Sequence, residues 1–375
     1  MTTPLAHGVG GSEGLPLPLD LVLQAGAATV ALSFLIAAFW WRTPRLRPAE
    51  PRTFGVSRWL RYPVLVLALY ITGYALAGPR GPENPAAHAL FVWLWVGLVL
   101  AGVVLGPVWH TVNPLRTIFT LLRLPPGGLR PGPAGSAWPA AAFLLVFVAF
   151  ELVVPHHGDP VVVGLFLLSY GLSQVLLAAL RGEEWFARGD CFEVYSDLAG
   201  RLSPLHRPGL FSGLATPTPP GAAPFVAVWW ASTVFDSADA PWGTPGLILF
   251  CAAVYTAVRW TAGRLDVTMS LIPIAAAYTL AHYLSLLIVE APRGVLLLIG
   301  ASPSTWNPQP PPEAIAATQL ALILIGHAIG VIVAHDRALA ESPSRPPLAV
   351  LADELPLALF MITCTWTGLF LLFVR

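Results

Sequence analysis

Apolar residues recur along this chain in long unbroken runs, separated by short polar stretches rich in Arg, Pro and Gly. A run of about 18 or more apolar residues is long enough to cross a bilayer as a helix. Such runs predict ten spans, at 19–41, 63–78, 88–109, 137–154, 161–180, 224–236, 246–262, 267–290, 313–334 and 353–374. The second and sixth are short. The sixth, PFVAVWWASTVFD, fits a tilted or partly re-entrant segment. The fold class expected is all-α: a polytopic membrane helix bundle of about ten transmembrane helices, forming one domain over 1–375.

The longest connection, 181–224, carries a different pattern. Phe192, Tyr195, Leu198 and Leu202 recur at helical spacing, with Glu193, Asp197 and Arg201 between them. That spacing predicts an amphipathic helix lying in the membrane interface. Pro204 stops it, and a Pro/Gly-rich linker follows. In 291–312 the apolar stretch Val295 to Ile299 is too short to span, which suits a plug or lid.

Charge placement orients the bundle. Seventeen of the twenty Arg fall in alternate connections, from Arg42 to Arg345, and only Arg80, Arg293 and Arg375 fall in the others. The positive-inside rule then places both termini outside. Glu13, Asp20, Glu83, Glu151, Asp159, Asp236, Asp239, Glu290 and Glu313 gather on the Arg-poor side, with His7, His88, His156 and His157. The first apolar run lacks a basic n-region and is too long for a signal peptide, so a retained helix is expected.

Composition agrees with the pattern. Only 11% of residues are charged and 56% are hydrophobic, against about 25% charged in a soluble globular domain. The lipid bilayer is therefore the partner the sequence demands. Net charge is formally zero, which gives no basic footprint for nucleic acid. Cys191, Cys251 and Cys364 show no CxxC spacing and are read as unpaired thiols.

The candidate chemistry lies in 267–290. His282 sits among apolar residues, with Tyr278 one helical turn before it and Thr279 and Ser285 three residues to either side. An ionisable group at membrane depth is costly and is a functional candidate for that reason. A lone membrane histidine is also commonly hydrogen-bonded between helices, which is the structural alternative. On the Arg-poor side, Glu151, Asp236 and His88 end or begin neighbouring spans. If the bundle gathers them, His282, His88 and Asp236 form a ligand set for a divalent metal such as zinc, with His282, Asp236 and Glu151 as catalytic groups. No HExxH or HxxxH is present. His327 and His335 are eight residues apart, about 12 Å of helix rise, and cannot share one metal. His7 precedes the first span as a terminal ligand or a mobile end. Asn113 and Pro114 read as a helix end. Trp93, Trp95, Trp109, Trp229, Trp230 and Trp242 read as belt or packing residues.

Several short stretches occur together: AHGVGGSEGLPLPL at 6–19, VNPLRT at 112–117, RGDCFEVYSDLAGRLSP at 188–204, TVFD at 233–236, AHYLSLL at 281–287 and GHAIGVIVAH at 326–335. Their order and spacing resemble, nearly end to end, a bacterial family of multi-pass membrane proteins, many of them actinobacterial, whose members carry the label fenitrothion hydrolase. The resemblance implies a membrane hydrolase acting on a small hydrophobic ester or phosphotriester. Where this chain has Thr279, the family pattern implies a second histidine, so a metal carried over onto His282 has one ligand fewer here. Three functional expectations result. One is a metal-assisted hydrolase open to the outside. Another is a transporter or permease with His282 and His327 in a polar pathway. The third is a non-catalytic subunit of a metal-handling or respiratory assembly.

Overall fold

The structure is a computed structural model that describes residues 14–374 apart from 16, 53–56, 131–134, 210, 240, 264 and 342–346. His7 and the chain ends lie outside the described residues. Every regular element among those described is helical. In chain order they are α1 (Leu19–Trp40), α2 (Arg61–Ala77), α3 (His88–Leu105), α4 (Val108–Val112), α5 (Pro114–Leu121), α6 (Trp138–Val153), α7 (Pro160–Arg181) and α8 (Phe186–Gly189). There follow α9 (Cys191–Gly200), α10 (Ala222–Ala238), α11 (Gly243–Ala262), α12 (Thr268–His282), α13 (Leu284–Leu298), α14 (Pro312–Glu341) and α15 (Pro347–Phe373).

Seven of these helices, α2 being taken together with the turn Arg58–Leu60 that leads into it, are long and apolar enough to cross a membrane, and α12 with α13 makes an eighth if the bent pair is one span. The chain is thus a multi-pass helical protein built for a bilayer. Of the ten expected spans, those over 137–154 and 224–236 fall below a spanning length, since α6 has 16 residues and α10 has 17. At 1.5 Å per residue those lengths reach roughly 24–26 Å, short of a ~30 Å hydrocarbon core. α10 is buried at nearly every position, between α6, α11 and α12. It is a core helix covered by protein, so its length need not match the lipid.

The stretch 267–290 is not one straight helix. It breaks at Tyr283 (φ −96°, ψ 16°), and α13 leaves at 66° to α12. α13 then runs on to Leu298 and lies against the start of α3, where Trp93 Nε1 donates to the Ala291 carbonyl at 3.0 Å. The 303–307 turn straps it, with Trp306 Nε1 donating to the Ile288 carbonyl at 3.0 Å. The lid expected over 291–312 is therefore half helix and half strap.

α12 packs tightly on α14. Two glycines permit it. A Cβ at Gly330 would lie 2.7 Å from the Ser270 carbonyl oxygen, and one at Gly326 would overlap Ala277 and the Pro273 carbonyl. At the far end of the bundle several Arg-bearing connections interlock. Arg201 reaches the Thr216 hydroxyl (2.6 Å), Arg337 reaches the Thr216 carbonyl (2.8 Å), and Arg207 reaches the Ala49 carbonyl. This end is called the Arg-rich end below.

Two connections at the Arg-rich end turn back into the bundle. One is α4 and α5; the other is α8 and α9. Leu115 lies against Gly171, and Phe119 packs on Ala178 and Phe186, so α5 runs beside α7. In α9, Phe192 meets Tyr170 and Phe147, Tyr195 stacks on Trp95 at 4.9 Å, and Gly200 abuts Gly106 and Pro107. The tips of the two hairpins are Asn113–Pro114 and Asp190–Cys191. Tyr170, which meets the second tip, precedes Arg181 by about eleven residues, ~16 Å along the helix. The interfacial helix expected over 192–202 does form, as α9. Rather than lying along a surface, it is enclosed: Glu193 and Ser196 are as buried as Phe192, and only Asp197 is exposed. Its polar positions are matched from within, by the first hairpin.

Candidate functional site: a buried imidazole between α10 and α12

Asp236 and Ser237 lie in the last turn of α10, and Tyr278 and His282 in the last turns of α12. All four side chains are buried. α10 and α12 are held in register by Thr279, which accepts from Trp229 Nε1 at 3.0 Å and donates to the Ala275 carbonyl at 2.9 Å. The helix break at Tyr283 turns its phenol inward, where it donates to Asp236 Oδ2 at 2.8 Å. His282 Nε2 meets the same oxygen at 2.8 Å. The other ring nitrogen, Nδ1, is 3.1 Å from the Ser237 hydroxyl, and Tyr278 donates to that hydroxyl at 3.0 Å.

The result is one continuous chain: Tyr278, Ser237, His282, Asp236, Tyr283. Its hydrogens can be placed in two ways with no movement of heavy atoms. With a neutral ring, Nε2–H donates to Asp236 and Ser237 donates to Nδ1. With an imidazolium, both ring nitrogens donate, and the Ser237 hydroxyl hydrogen turns to the Thr233 carbonyl at 2.8 Å. Both arrangements satisfy every member, as buried polar groups require.

Glu151, in the last turn of α6, is buried within electrostatic range of Asp236, Tyr195 and Tyr283. Two of the sequence candidates are thus in direct contact, and the third stands beside them. His88 is not part of this group. Its Nε2 pairs with Glu290 at 3.1 Å, and Glu290 in turn binds Arg293 at 2.7 Å, so His88 pins α13 to α3. Among the described residues no three His, Cys, Asp or Glu side chains stand close enough to hold a metal ion. The expected ligand set of His282, His88 and Asp236 is therefore divided between two separate pairs.

His327 Nδ1 bonds the Ile323 carbonyl of its own helix at 2.8 Å. Gln319, two turns earlier, donates to the Ala281 carbonyl at 2.9 Å and so ties α14 to α12 beside His282. His335 pairs with Glu354 at the opposite end of α14. All three cysteines are free and buried.

A second polar cluster forms at the hairpin tips, where the sequence offered Asn113 and Pro114 only as a helix end and Glu193 only as the polar side of an amphipathic helix. Asn113 caps α5 and donates from Nδ2 to Asp190 (2.8 Å) and Glu193 (3.0 Å). Asp190 caps α9 and accepts from Tyr170 at 2.6 Å. Arg116 grips Glu193 with two nitrogens, at 2.6 and 2.7 Å, and His110 Nδ1 lies 3.0 Å from the same carboxylate. Burial alone would raise the Glu193 carboxyl, but the Arg116 and His110 hydrogen bonds and charges outweigh it and hold it down at about 2. Asp190 goes the other way: burial, and then the Glu193 charge beside it, push its carboxyl up to about 6. The available signal was the combination of Asn-Pro and Gly-Asp-Cys, two helix-capping sequences inside the connections.

No family model, no curated protein and no solved structure matches this chain.

Proposed function

We propose that this protein moves protons in the course of transport across the membrane, with His282 and Asp236 as the exchanging pair. One observation carries the reading: His282 is held between a carboxylate and a hydroxyl so that it fits either protonation state. A buried ion pair built only for rigidity needs one hydrogen arrangement. This one has two, and the tyrosines at both ends of the chain extend it toward neighbouring groups. Intramembrane His and Asp in contact are typical of proton relays. The setting supports the same reading. The pair lies at a helix broken by 66°, and broken helices and re-entrant backbone accompany binding sites in membrane transporters. Glu151 supplies a second carboxylate within range of the first. Histidine is the side chain whose ordinary pKa suits exchange near neutral pH.

The hydrolase expectation drawn from the resemblance requires a nucleophile or an activated water open to substrate. Ser237 is the hydroxyl next to His282, but it is buried and already bonded to Thr233 and Tyr278. The same groups therefore suit proton transfer better than attack on an ester.

The test is proton flux into proteoliposomes carrying an internal pH dye. Wild type is expected to equilibrate an imposed pH gradient at a rate that scales with protein. Asp236→Asn and His282→Gln are expected to slow it at least tenfold. Unchanged rates in both variants, together with ester hydrolysis lost on Ser237→Ala, would replace transport by hydrolysis.

A further inference from the structure

We propose that His335 and Glu354 form a separate proton-binding latch at the Arg-rich end, closed when the pair holds a proton and opened when it is lost. The inference goes beyond the relay and does not depend on it. Both side chains are fully buried, at 1% and 0% exposure. His335 Nε2 lies 3.0 Å from the Trp41 carbonyl oxygen, which can only accept, so Nε2 carries a hydrogen. Nδ1 lies 2.9 and 3.1 Å from the two Glu354 oxygens. One more hydrogen must stand between that nitrogen and the carboxyl group. Without it, a ring lone pair would face carboxylate lone pairs in a site closed to water. The pair therefore holds one proton more than a neutral imidazole and a carboxylate would, whichever partner carries it. This contrasts with His282, where the Ser237 hydroxyl can turn to suit either state.

The latch joins three elements. His335 is on α14 and Glu354 on α15, and Trp41 is the residue that ends α1. Among the described residues no other charged side chain is placed to replace the missing proton. Asp336 is turned onto Trp41 Nε1 (2.7 Å) and the Arg45 and Leu46 amides. The Arg45 guanidinium lies over the Trp41 ring and reaches the Trp40 carbonyl. Arg337 is turned away, to Leu214, Thr216 and Asp266. Asp353 is exposed on α15. Loss of the proton thus leaves two acceptors in contact, and separation of α15 from the α1–α14 junction relieves it.

Glu354→Gln supplies the test, because a glutamine amide N–H faces a neutral Nδ1 without any extra proton. His335→Gln does the same from the other side. Wild type and both variants are unfolded thermally in detergent from pH 6.5 to 9.5. A folded state holding one extra proton loses stability relative to the variants by about tenfold in the unfolding constant per pH unit, from neutrality up to the pH at which the latch releases its proton. The expected result is a wild-type profile that falls against both variants as pH rises. Parallel profiles would overturn the proposal. Ring-nitrogen NMR of wild type gives a reading that does not depend on how the variants fold. Nε2 is expected to carry hydrogen at pH 7, and Nδ1 to change its shift between pH 7 and 9.5. A single unchanged pair of shifts across that range would also overturn it.

Discussion

Asp236 decides the character of the site. Its Oδ2 receives both His282 and Tyr283, so replacing it removes the acceptor of two buried donors at once. Breaking a buried pair by removing one partner costs about 3–5 kcal/mol. Asp236→Leu is expected near that figure by thermal unfolding in detergent, and Asp236→Asn is expected to cost clearly less because an amide oxygen still accepts. Equal losses would mean that the charge, not the hydrogen bonds, holds the site. At the hairpin tips the pH dependence has a definite sign. The folded Glu193 carboxyl, at about 2, lies below its ordinary value of about 4.3. It therefore contributes stability that is fully present above about pH 4.3 and is lost as pH falls through 2. Wild type is expected to lose its advantage over Glu193→Gln between pH 5 and pH 2. Asp190, raised to about 6, acts oppositely. Its contribution is present at low pH and lost as pH rises through 6, so Asp190→Asn is expected to flatten the profile there. The sequence made His282, Asp236 and Glu151 legible, because an ionisable group in an apolar run stands out. It did not show that Ser237 and Tyr283 complete the chain, since a serine and a tyrosine beside a helix end have ordinary explanations. Nor did it show that His88 turns to Glu290, which depends on how α13 leaves the break.

Helices were read closely from apolar runs in α1 and α7, whereas α14 runs seven residues beyond the expected end at 334 and α15 begins six residues before the expected start at 353. The reading weakened where protein replaces lipid. α10 reads as a short span yet is a buried core helix, and α9 carries an amphipathic repeat yet exposes only Asp197, because Arg116, His110 and Asn113 reach its polar side. A linear pattern reports polarity, and it cannot tell water from a buried guanidinium. The close pairing of α12 with α14 was equally hidden, since it depends on two glycines facing a helix that is distant in sequence. Gly330→Ala would press a methyl into the Ser270 carbonyl. Overpacking of this kind costs about 1–3 kcal/mol, so a lowered unfolding temperature is expected, with the larger effect at Gly326. A variant as stable as wild type would show that these helices have room to separate.

Across the whole molecule it is the Arg side chains that divide by end. The Arg-bearing connections interlock at one end, and the His282–Asp236 and His88–Glu290 pairs lie at the other. The positive-inside rule predicts that the Arg-rich end faces the cytoplasm. Reporter fusions after Arg61 and Arg207 are expected to read inside, and one at the C-terminus outside; a cytoplasmic C-terminus would reverse the count of crossings. The His282–Asp236 and His335–Glu354 pairs lie toward opposite ends of α14, so that orientation would put the first at the outer face and the second at the inner one. The measurement that bears most directly on the relay is ring-nitrogen NMR of His282 in histidine-labelled protein in lipid, followed from pH 5 to pH 9 and assigned by the signal lost in His282→Gln. The predicted result is a change from imidazolium to a neutral ring with Nε2–H retained, while the Tyr283–Asp236 contact stays intact. A ring fixed in one protonation state over the whole range would contradict proton exchange at this site and leave His282 a packing residue.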